Sequence, residues 1–302
     1  MKRGVSPNRG NKDNHKKEEQ SGAHTSPFIV IFTDLDGTLL DHNSYGWEEA
    51  EPALRLCRES LIPLILVSSK TRAEIRALHQ ELGLSSPFIS ENGGGIFFPK
   101  EGKHPYPSDA VLSHGVRKWS IGPAHDFLVK ALGEIRDEQG WKIRGFSEMT
   151  PEEISSLTGL DLASARLASQ REYDEPFVFM EKGVRNMDTL HHAAGQKGLR
   201  ISRGGRFYHL HGKSDKGEAM GRLVAWYRTY HPLLRTIALG DSPVDFSMLK
   251  RADYPVLIRS SHQYPELKKV IPRLKVTQET GPRGWNAAVL DILNDETSIG
   301  IG

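Results

Sequence analysis

The chain has 302 residues, 37% hydrophobic and 26% charged, the range of ordinary globular proteins with one large domain or two smaller ones. Its longest apolar run, Leu61 to Val67, has seven residues including Pro63, against the roughly 18 to 20 a spanning helix needs, so no segment is expected to cross a bilayer. Forty basic side chains face 38 acidic ones, but Lys2, Arg3, Arg9, Lys12, Lys16 and Lys17 give residues 1–26 a net +3 and leave the rest at −1, so no basic surface for nucleic acid is expected.

Residues 1–26 are rich in Asn, Gly, Ser and Lys and read as a disordered basic tail. No hydrophobic stretch with a small-residue cleavage site opens the chain, and the single cysteine, Cys57, has no internal disulfide partner. Both features fit a reducing, cytoplasmic setting. Phe28 to Thr33 is a continuous apolar run of the kind buried on both faces of a parallel sheet, and it ends in Asp34-Leu35-Asp36-Gly37-Thr38. A second run, Ile62 to Val67, ends in Ser68-Ser69-Lys70; Thr71 with Glu74 then opens a helix that Gly83 stops.

Between about 108 and 211 the texture changes. Helical periodicity in Phe127, Leu128, Ala131, Leu132 and Ile135, and a helix opened by Thr150-Pro151-Glu152-Glu153, alternate with strand-like pieces. These are Phe177 to Met180, Leu199 to Ser202 and Arg206 to Leu210, the last two joined by Gly204-Gly205 as a hairpin would be. A helix from about Asp215 then carries Met220, Leu223, Val224 and Tyr227 on one face. The runs Thr236 to Leu239 and Tyr254 to Ile258 end in Gly240-Asp241-Ser242 and Arg259-Ser260. The order implies an α/β fold class: a doubly wound, Rossmann-like parallel sheet core from 27–107 and 212–302, with an inserted α+β cap domain at 108–211. In such a core, functional groups gather beyond the carboxyl ends of the strands.

Asp34 and Asp36, two apart at a strand tip, project to one side of an extended chain. Two carboxylates in a partly dry site repel unless a cation neutralises them or one keeps its proton. Asp241 and Asp245, four apart at another tip, can be aimed into the same crevice by a helix start. Together they predict a hard-cation site for Mg2+, which favours carboxylate and carbonyl oxygens and leaves room for a phosphate. Ser68 offers a hydroxyl for a phosphate oxygen, and Lys216 a compact positive charge. Other signals carry no chemistry. Gly212-Lys213-Ser214 lacks the earlier glycine of a P-loop, since position 207 is Phe207. The adjacent His191 and His192 diverge on a helix, Cys57 reads as a small buried residue, and Trp285 as packing for a C-terminal turn.

Asp34-Leu35-Asp36-Gly37-Thr38, Ser68, Lys216 and Gly240-Asp241 through Asp245 stand in the order of the four motifs of the haloacid dehalogenase superfamily of phosphohydrolases, which the chain resembles. The insertion between the second and third motifs resembles the cap of the superfamily's Cof-like branch. Within that branch, Val67 to Thr71, Glu91-Asn92-Gly93-Gly94-Gly95, Leu157 to Leu160, Arg171 to Phe177, Gly204 to His209 and Asp215-Lys216-Gly217 resemble the mannosyl-3-phosphoglycerate phosphatase family. The resemblance covers about residues 27 to 290.

The resemblance implies that Asp34 attacks phosphorus to give an aspartyl phosphate, while Asp36 protonates the leaving oxygen and later activates water. Mg2+ would be held by Asp34, Asp36 through its main-chain carbonyl, Asp241 and Asp245, the last orienting metal-bound water or Lys216. Ser68 and Lys216 would hold the phosphoryl oxygens. Val244 stands where relatives often carry Asn, so a hydrogen bond made there is missing. The expected partner is a small phosphorylated sugar acid, mannosyl-3-phosphoglycerate, hydrolysed to the compatible solute mannosylglycerate. Glucosyl-3-phosphoglycerate or another sugar phosphate is the nearest alternative; a phosphomutase and a catalytically impaired binding protein are further ones. Arg171, Arg206 and His209 are candidate partners of the substrate carboxylate, and Glu91, Asn92, Tyr173 and Asp174 of the sugar hydroxyls.

Overall fold

The apolar run after Pro27 forms a strand whose side chains alternate between two cores. The computed structural model describes residues 27–113, 115–181, 186–204 and 207–299. The reading of 1–26 as a tail, and the calls on Gly205 and Arg206, lie outside them.

In chain order, β1 (Ile29–Thr33) and β2 (Leu64–Leu66) enter a first sheet, and β3 (Phe88–Ser90), β4 (Gly95–Phe98), β5 (Val111–Ser113) and β6 (Val116–Ser120) a second. A third contains β7 (Ile143–Gly145), β8 (Asp174–Phe179), β9 (Arg200–Gly204) and β10 (Phe207–His211). The chain then returns to the first with β11 (Arg235–Gly240), β12 (Tyr254–Arg259) and β13 (Lys275–Thr280).

The first sheet is parallel throughout, in the order β13-β12-β11-β1-β2. Ile31, Leu64, Leu66, Ile237 and Leu239 pack on one face with Leu54 and Cys57 of the helix Glu51–Glu59 and with Trp285 and Val289 of the helix Gly281–Ile299. Val30, Phe32, Ile65 and Ala238 pack on the other with Ala219, Met220 and Leu223 of the helix Lys216–Arg228. Period-2 strands covered on both faces explain why the sequence shows unbroken apolar runs. From β1 the chain moves outward to β2, and from β11 outward to β12 and β13. Strand order therefore reverses between β1 and β11, where an open α/β sheet forms its ligand crevice.

The second sheet is antiparallel and continues from the first through a bridge between Val67 and Ile89. The stretch 108–120 pairs in this sheet, through β5 and β6. The third, in the order β7-β8-β10-β9, is antiparallel. Its own core joins Phe177 and Leu210 to Leu128, Ala131 and Ile135 of the helix His125–Gln139 and to Leu190 and Ala194 of Met187–Gln196. The α/β core with an α+β cap read from the sequence is the fold observed. β9 and β10 pair as the expected hairpin. Phe127 corrects the helical pattern: it is 47% exposed, and the buried stripe starts at Leu128.

Trp285 does not pack a turn. It is fully buried within the helix Gly281–Ile299, and its Nε1 donates to Thr33 Oγ1 at 3.0 Å. That hydroxyl donates in turn to the Asp34 carbonyl at 2.7 Å. Helix and β1 are thus joined directly beneath the first motif. Trp285→Phe leaves a small void and an unmatched Thr33 oxygen, and is expected to destabilise the protein by about 2 kcal/mol in urea unfolding.

Candidate active site

Four charged side chains converge at the point where strand order reverses. Asp34 follows β1, and Asp241 and Asp245 follow β11. Lys216 is the first residue of the helix Lys216–Arg228, which Asp215 caps by accepting from Glu218 N at 2.8 Å. The buried Lys216 Nζ reaches Asp34 Oδ1 at 2.5 Å and Asp245 Oδ1 at 2.7 Å. Asp245 Oδ2 accepts from Asp241 N and Ser242 N, each at 3.1 Å, and from Ser242 Oγ at 3.0 Å. Both Asp245 oxygens are therefore occupied in ordering Lys216 and the loop after β11. The Val244 side chain is 51% exposed and offers neither donor nor acceptor to that loop, where Ser242 Oγ donates to Asp245.

Burial raises the Asp34 carboxyl to about 7; Lys216 pulls it down, and Asp245 and Asp241 push it up. Burial, with Asp245 nearby, raises Asp241 to about 6. Burial would lower the Lys216 ammonium, but Asp245 and Asp34 overcome it and hold its pKa above the ordinary lysine value. Gly37, with φ of +80°, lets the β1 loop turn beside Asp241, since a Cβ there would stand 2.9 Å from Asp241 Oδ2.

Asp36 does not share this cluster. Its Oδ2 meets Lys70 Nζ at 3.0 Å, while Oδ1 is buried with no hydrogen-bond partner. The loop turns directly after Asp34, with Gly37 N donating to Leu40 O and Thr38 N to Leu35 O, so the two carboxylates go to different partners. Ser68 is buried after β2, its Oγ accepting from Lys70 N at 3.2 Å, which leaves the hydroxyl proton free to donate.

Among the expected sugar and carboxylate partners, Glu91 is buried and both its oxygens accept main-chain N–H groups, from Glu172 at 3.0 and 3.1 Å and Tyr173 at 2.8 Å. Asn92 adopts φ of 54°, and its buried Oδ1 has no partner. Gly93 follows with φ of +99°; a Cβ there would sit 2.2 Å from Asp215 O, so this turn is pressed against the start of the Lys216 helix. Tyr173 is buried against Gly94 and Gly95 and shares a hydrogen bond with Ser120 Oγ at 2.7 Å. The structure brings Arg171, Asp174 and His209 together: Asp174 Oδ2 meets His209 Nδ1 at 2.8 Å and Arg171 Nη1 at 3.4 Å. Burial would raise the Asp174 carboxyl, but His209 and Arg171 hold it below the usual range. Its Oδ1 is buried and unpartnered.

Sequence reading passed over Lys70 and Glu172. Arg171 Nη1 donates to Ser69 O at 2.9 Å, and Glu172 bridges Arg72 at 2.5 Å and Lys118 at 2.7 Å. Lys70 lies within Val67 to Thr71 and Glu172 within Arg171 to Phe177, and a charge beside a strand end was the available signal. Cys57 is buried and its thiol pushed up to about 12 by burial, in keeping with a packing role. His191 and His192 are exposed.

Residues 31–113 match the haloacid dehalogenase-like hydrolase family. A protein of Methanococcoides burtonii named glucosyl-3-phosphoglycerate/mannosyl-3-phosphoglycerate phosphatase is 40% identical over 272 residues, spanning 89% of this chain and 99% of that one. One of the same name from Persephonella marina is 37% identical over 281 residues, 88% and 98% of the two chains. The chain belongs to the haloacid dehalogenase-like hydrolases. The superfamily resemblance read from the motifs is thereby confirmed, and this hydrolase is a phosphoric monoester hydrolase. A crystal structure from Thermoplasma acidophilum shares its fold with a TM-score of 0.61 at 18% identity, covering 90% of this chain and 99% of that one.

The hydrolase's acidic cluster suits a divalent cation. One oxygen each from Asp34, Asp241 and Asp245 lie within 4.8 Å of one another, all hard donors. Three carboxylates meet a single ammonium, and no ion pair engages the Asp241 side chain among the described residues. A +2 ion would balance that charge and favour the ionised forms that burial opposes.

Glu91 supplies a pH test of the packing around this site. Burial raises its carboxyl from 4.5 to about 7, with Arg171 and the two N–H donors acting against the shift. The folded state holds the proton more tightly than the unfolded one, so stability from this group falls as pH rises through 4.5 to about 7 and then levels. Glu91→Gln is expected to flatten that slope by on the order of 3 kcal/mol, read as the difference between wild-type and variant urea unfolding at pH 5 and pH 8.

Proposed function

We propose that this hydrolase removes phosphate from hexosyl-3-phosphoglycerates, releasing the hexosylglycerate and inorganic phosphate in compatible-solute synthesis in the cytoplasm, with Mg2+ as its ion. The mannosyl compound is the first candidate and the glucosyl compound the second; both relatives are named for the pair. The observation that carries the reading is that 40% identity runs over 272 residues, cap and core together. The cap is the part that selects a substrate, so similarity confined to the core motifs would support only phosphatase chemistry. No helix among the described residues is long and apolar enough to cross a membrane.

In this reading Asp34 is the nucleophile. Lys216 and Ser68 hold phosphoryl oxygens, and Lys216 also aims the Asp34 carboxylate and favours its ionised form against burial. Asp36 gives a proton to the departing glycerate oxygen and takes one back from water in the second step. Mg2+ held by Asp34, the Asp36 carbonyl and Asp241, with Asp245 behind them, would offset the repulsion between carboxylate and phosphate dianion. Arg171, His209 and Arg206 meet the substrate's carboxylate, while Asp174 and Asn92 accept from hydroxyls. Their unpartnered buried oxygens support this, because a buried acceptor without a donor is costly in the free protein. Glu91 and Tyr173 act behind them, holding the segment that carries Arg171 and Asp174.

The test is phosphate release from mannosyl- and glucosyl-3-phosphoglycerate, with Mg2+ or excess chelator, beside Asp34→Asn. Mg2+-dependent turnover that Asp34→Asn reduces to background is expected, and the ratio of kcat/KM values assigns the hexose. Turnover of simple sugar phosphates alone would overturn the substrate. Mg2+ at a hundredfold excess over its Kd should also stabilise the protein by about 2.7 kcal/mol in thermal unfolding, and Asp241→Asn should abolish the shift.

A further inference from the structure

A carboxyl group that gives and takes a proton has two chemically equivalent oxygens and a broad torsion about its Cβ–Cγ bond. Left free, either oxygen can face the substrate. In this hydrolase the two oxygens of Asp36 are not equivalent. Oδ2 is held by Lys70 Nζ at 3.0 Å, and Oδ1 is buried with no partner. Lys70 is itself fixed from several sides. Its N–H donates to Ser68 Oγ at 3.2 Å, and its carbonyl accepts from Glu91 N at 3.1 Å. Its ammonium lies 5.4 Å from the centroid of the Tyr45 ring. The residue therefore stretches from the tip of β2 to the loop after β1, and its backbone position is set by two groups of the site.

We propose that Lys70 is a positioning residue that clamps Asp36 through Oδ2 and so fixes the orientation of the carboxyl that exchanges protons with the substrate. The proposal rests on the reading of Asp36 as acid and base, and not on the identity of the hexose. In the first step an Asp34 oxygen forms a bond to phosphorus and the bond from phosphorus to the ester oxygen breaks. The electron pair goes to the ester oxygen, which takes the proton from the Asp36 carboxyl. In the second, a water oxygen bonds to phosphorus, its proton passes to the Asp36 carboxylate, and the bond from phosphorus to Asp34 breaks with its electron pair returning to the Asp34 oxygen. In both protonation states Oδ2 remains an acceptor for the ammonium, so the clamp persists through the cycle.

A clamp on the acid matters only where the leaving oxygen needs a proton. An alkoxide leaving group does, whereas 4-nitrophenolate departs unprotonated. The ratio kcat/KM reports the steps up to the first phosphoryl transfer and excludes the later hydrolysis. Lys70→Met is expected to lower kcat/KM for an alkyl phosphate at least ~30-fold while lowering that for 4-nitrophenyl phosphate no more than ~3-fold, since a general acid is worth about 10²–10⁴ only to the poor leaving group. The same pattern is expected of Lys70→Gln, measured in parallel, with thermal midpoints confirming that each variant is folded. An equal fall for both substrates would overturn the proposal, because it would make Lys70 a phosphate-binding cation. Unchanged kinetics on both would overturn it as well. The alkyl phosphate can be any that the wild type hydrolyses. Absence of wild-type activity on the hexosyl-3-phosphoglycerates would therefore overturn the substrate reading while leaving the Lys70 comparison in force on another alkyl phosphate.

Discussion

The buried contact of Lys216 with Asp34 and Asp245 is the constraint around which the core is arranged. An ammonium buried without partners would lose its charge, and two buried carboxylates without a cation would repel. Each therefore depends on the others being in place, and they come from chain segments far apart in sequence. β1, β11 and the helix Lys216–Arg228 must all end at one point, which the reversal of strand order between β1 and β11 provides. Beneath them, the two-faced packing of alternate β1 and β11 residues sets the strand tips at fixed heights. The price of concentrating acids there is visible in the raised carboxyls of Asp34 and Asp241, which make the cluster receptive to a cation.

Around that point, the segment from Arg171 to Asp174 does the joining of cap to core. Glu91 receives its main-chain N–H groups, Glu172 ties it to Arg72 and Lys118, and Arg171 reaches the carbonyl of Ser69, one residue beyond Ser68. Thr71 adds a bond from its hydroxyl to Leu167 O at 2.9 Å. Charge-assisted bonds of this kind fix direction more than they add stability, being partly exposed to solvent. Asp174, the first residue of β8, is thus carried on a strand whose entry is anchored beside the tip of β2.

Local chemistry was legible in the sequence. The capping boxes at Thr71 with Glu74 and at Thr150 with Glu153 form as read, because each closes within four residues. The apolar runs of β1, β2 and β11 declared a sheet covered on both faces, and the acids after β1 and β11, with Lys216 at a helix start, announced the cluster that forms. Partners supplied by distant chain were not legible. Nothing near Trp285 announces Thr33, and nothing near Lys70 distinguishes a clamp from a solvated lysine. Tyr173 looked like a hydroxyl aimed at a ligand, yet its ring is spent on Gly94 and Gly95. The separate sheet of β3 to β6 escaped notice for another reason. Its strands are short, and β5 exposes both Val111 and Leu112, so no alternation marks it.

The hydrogen bond from Trp285 to Thr33 has a consequence for the order in which the molecule can be made. It closes across almost the whole chain, and the helix that supplies it is the last element among the described residues. The cap completes its own sheet within residues 143–211, long before that helix leaves the ribosome. During synthesis the cap can therefore reach its native pairing while β1 still lacks β11 and the covering of one face. The strand that leads to Asp34 is among the first made and the last to be finished, an apolar segment waiting for its partners, the condition in which nascent chains engage chaperones.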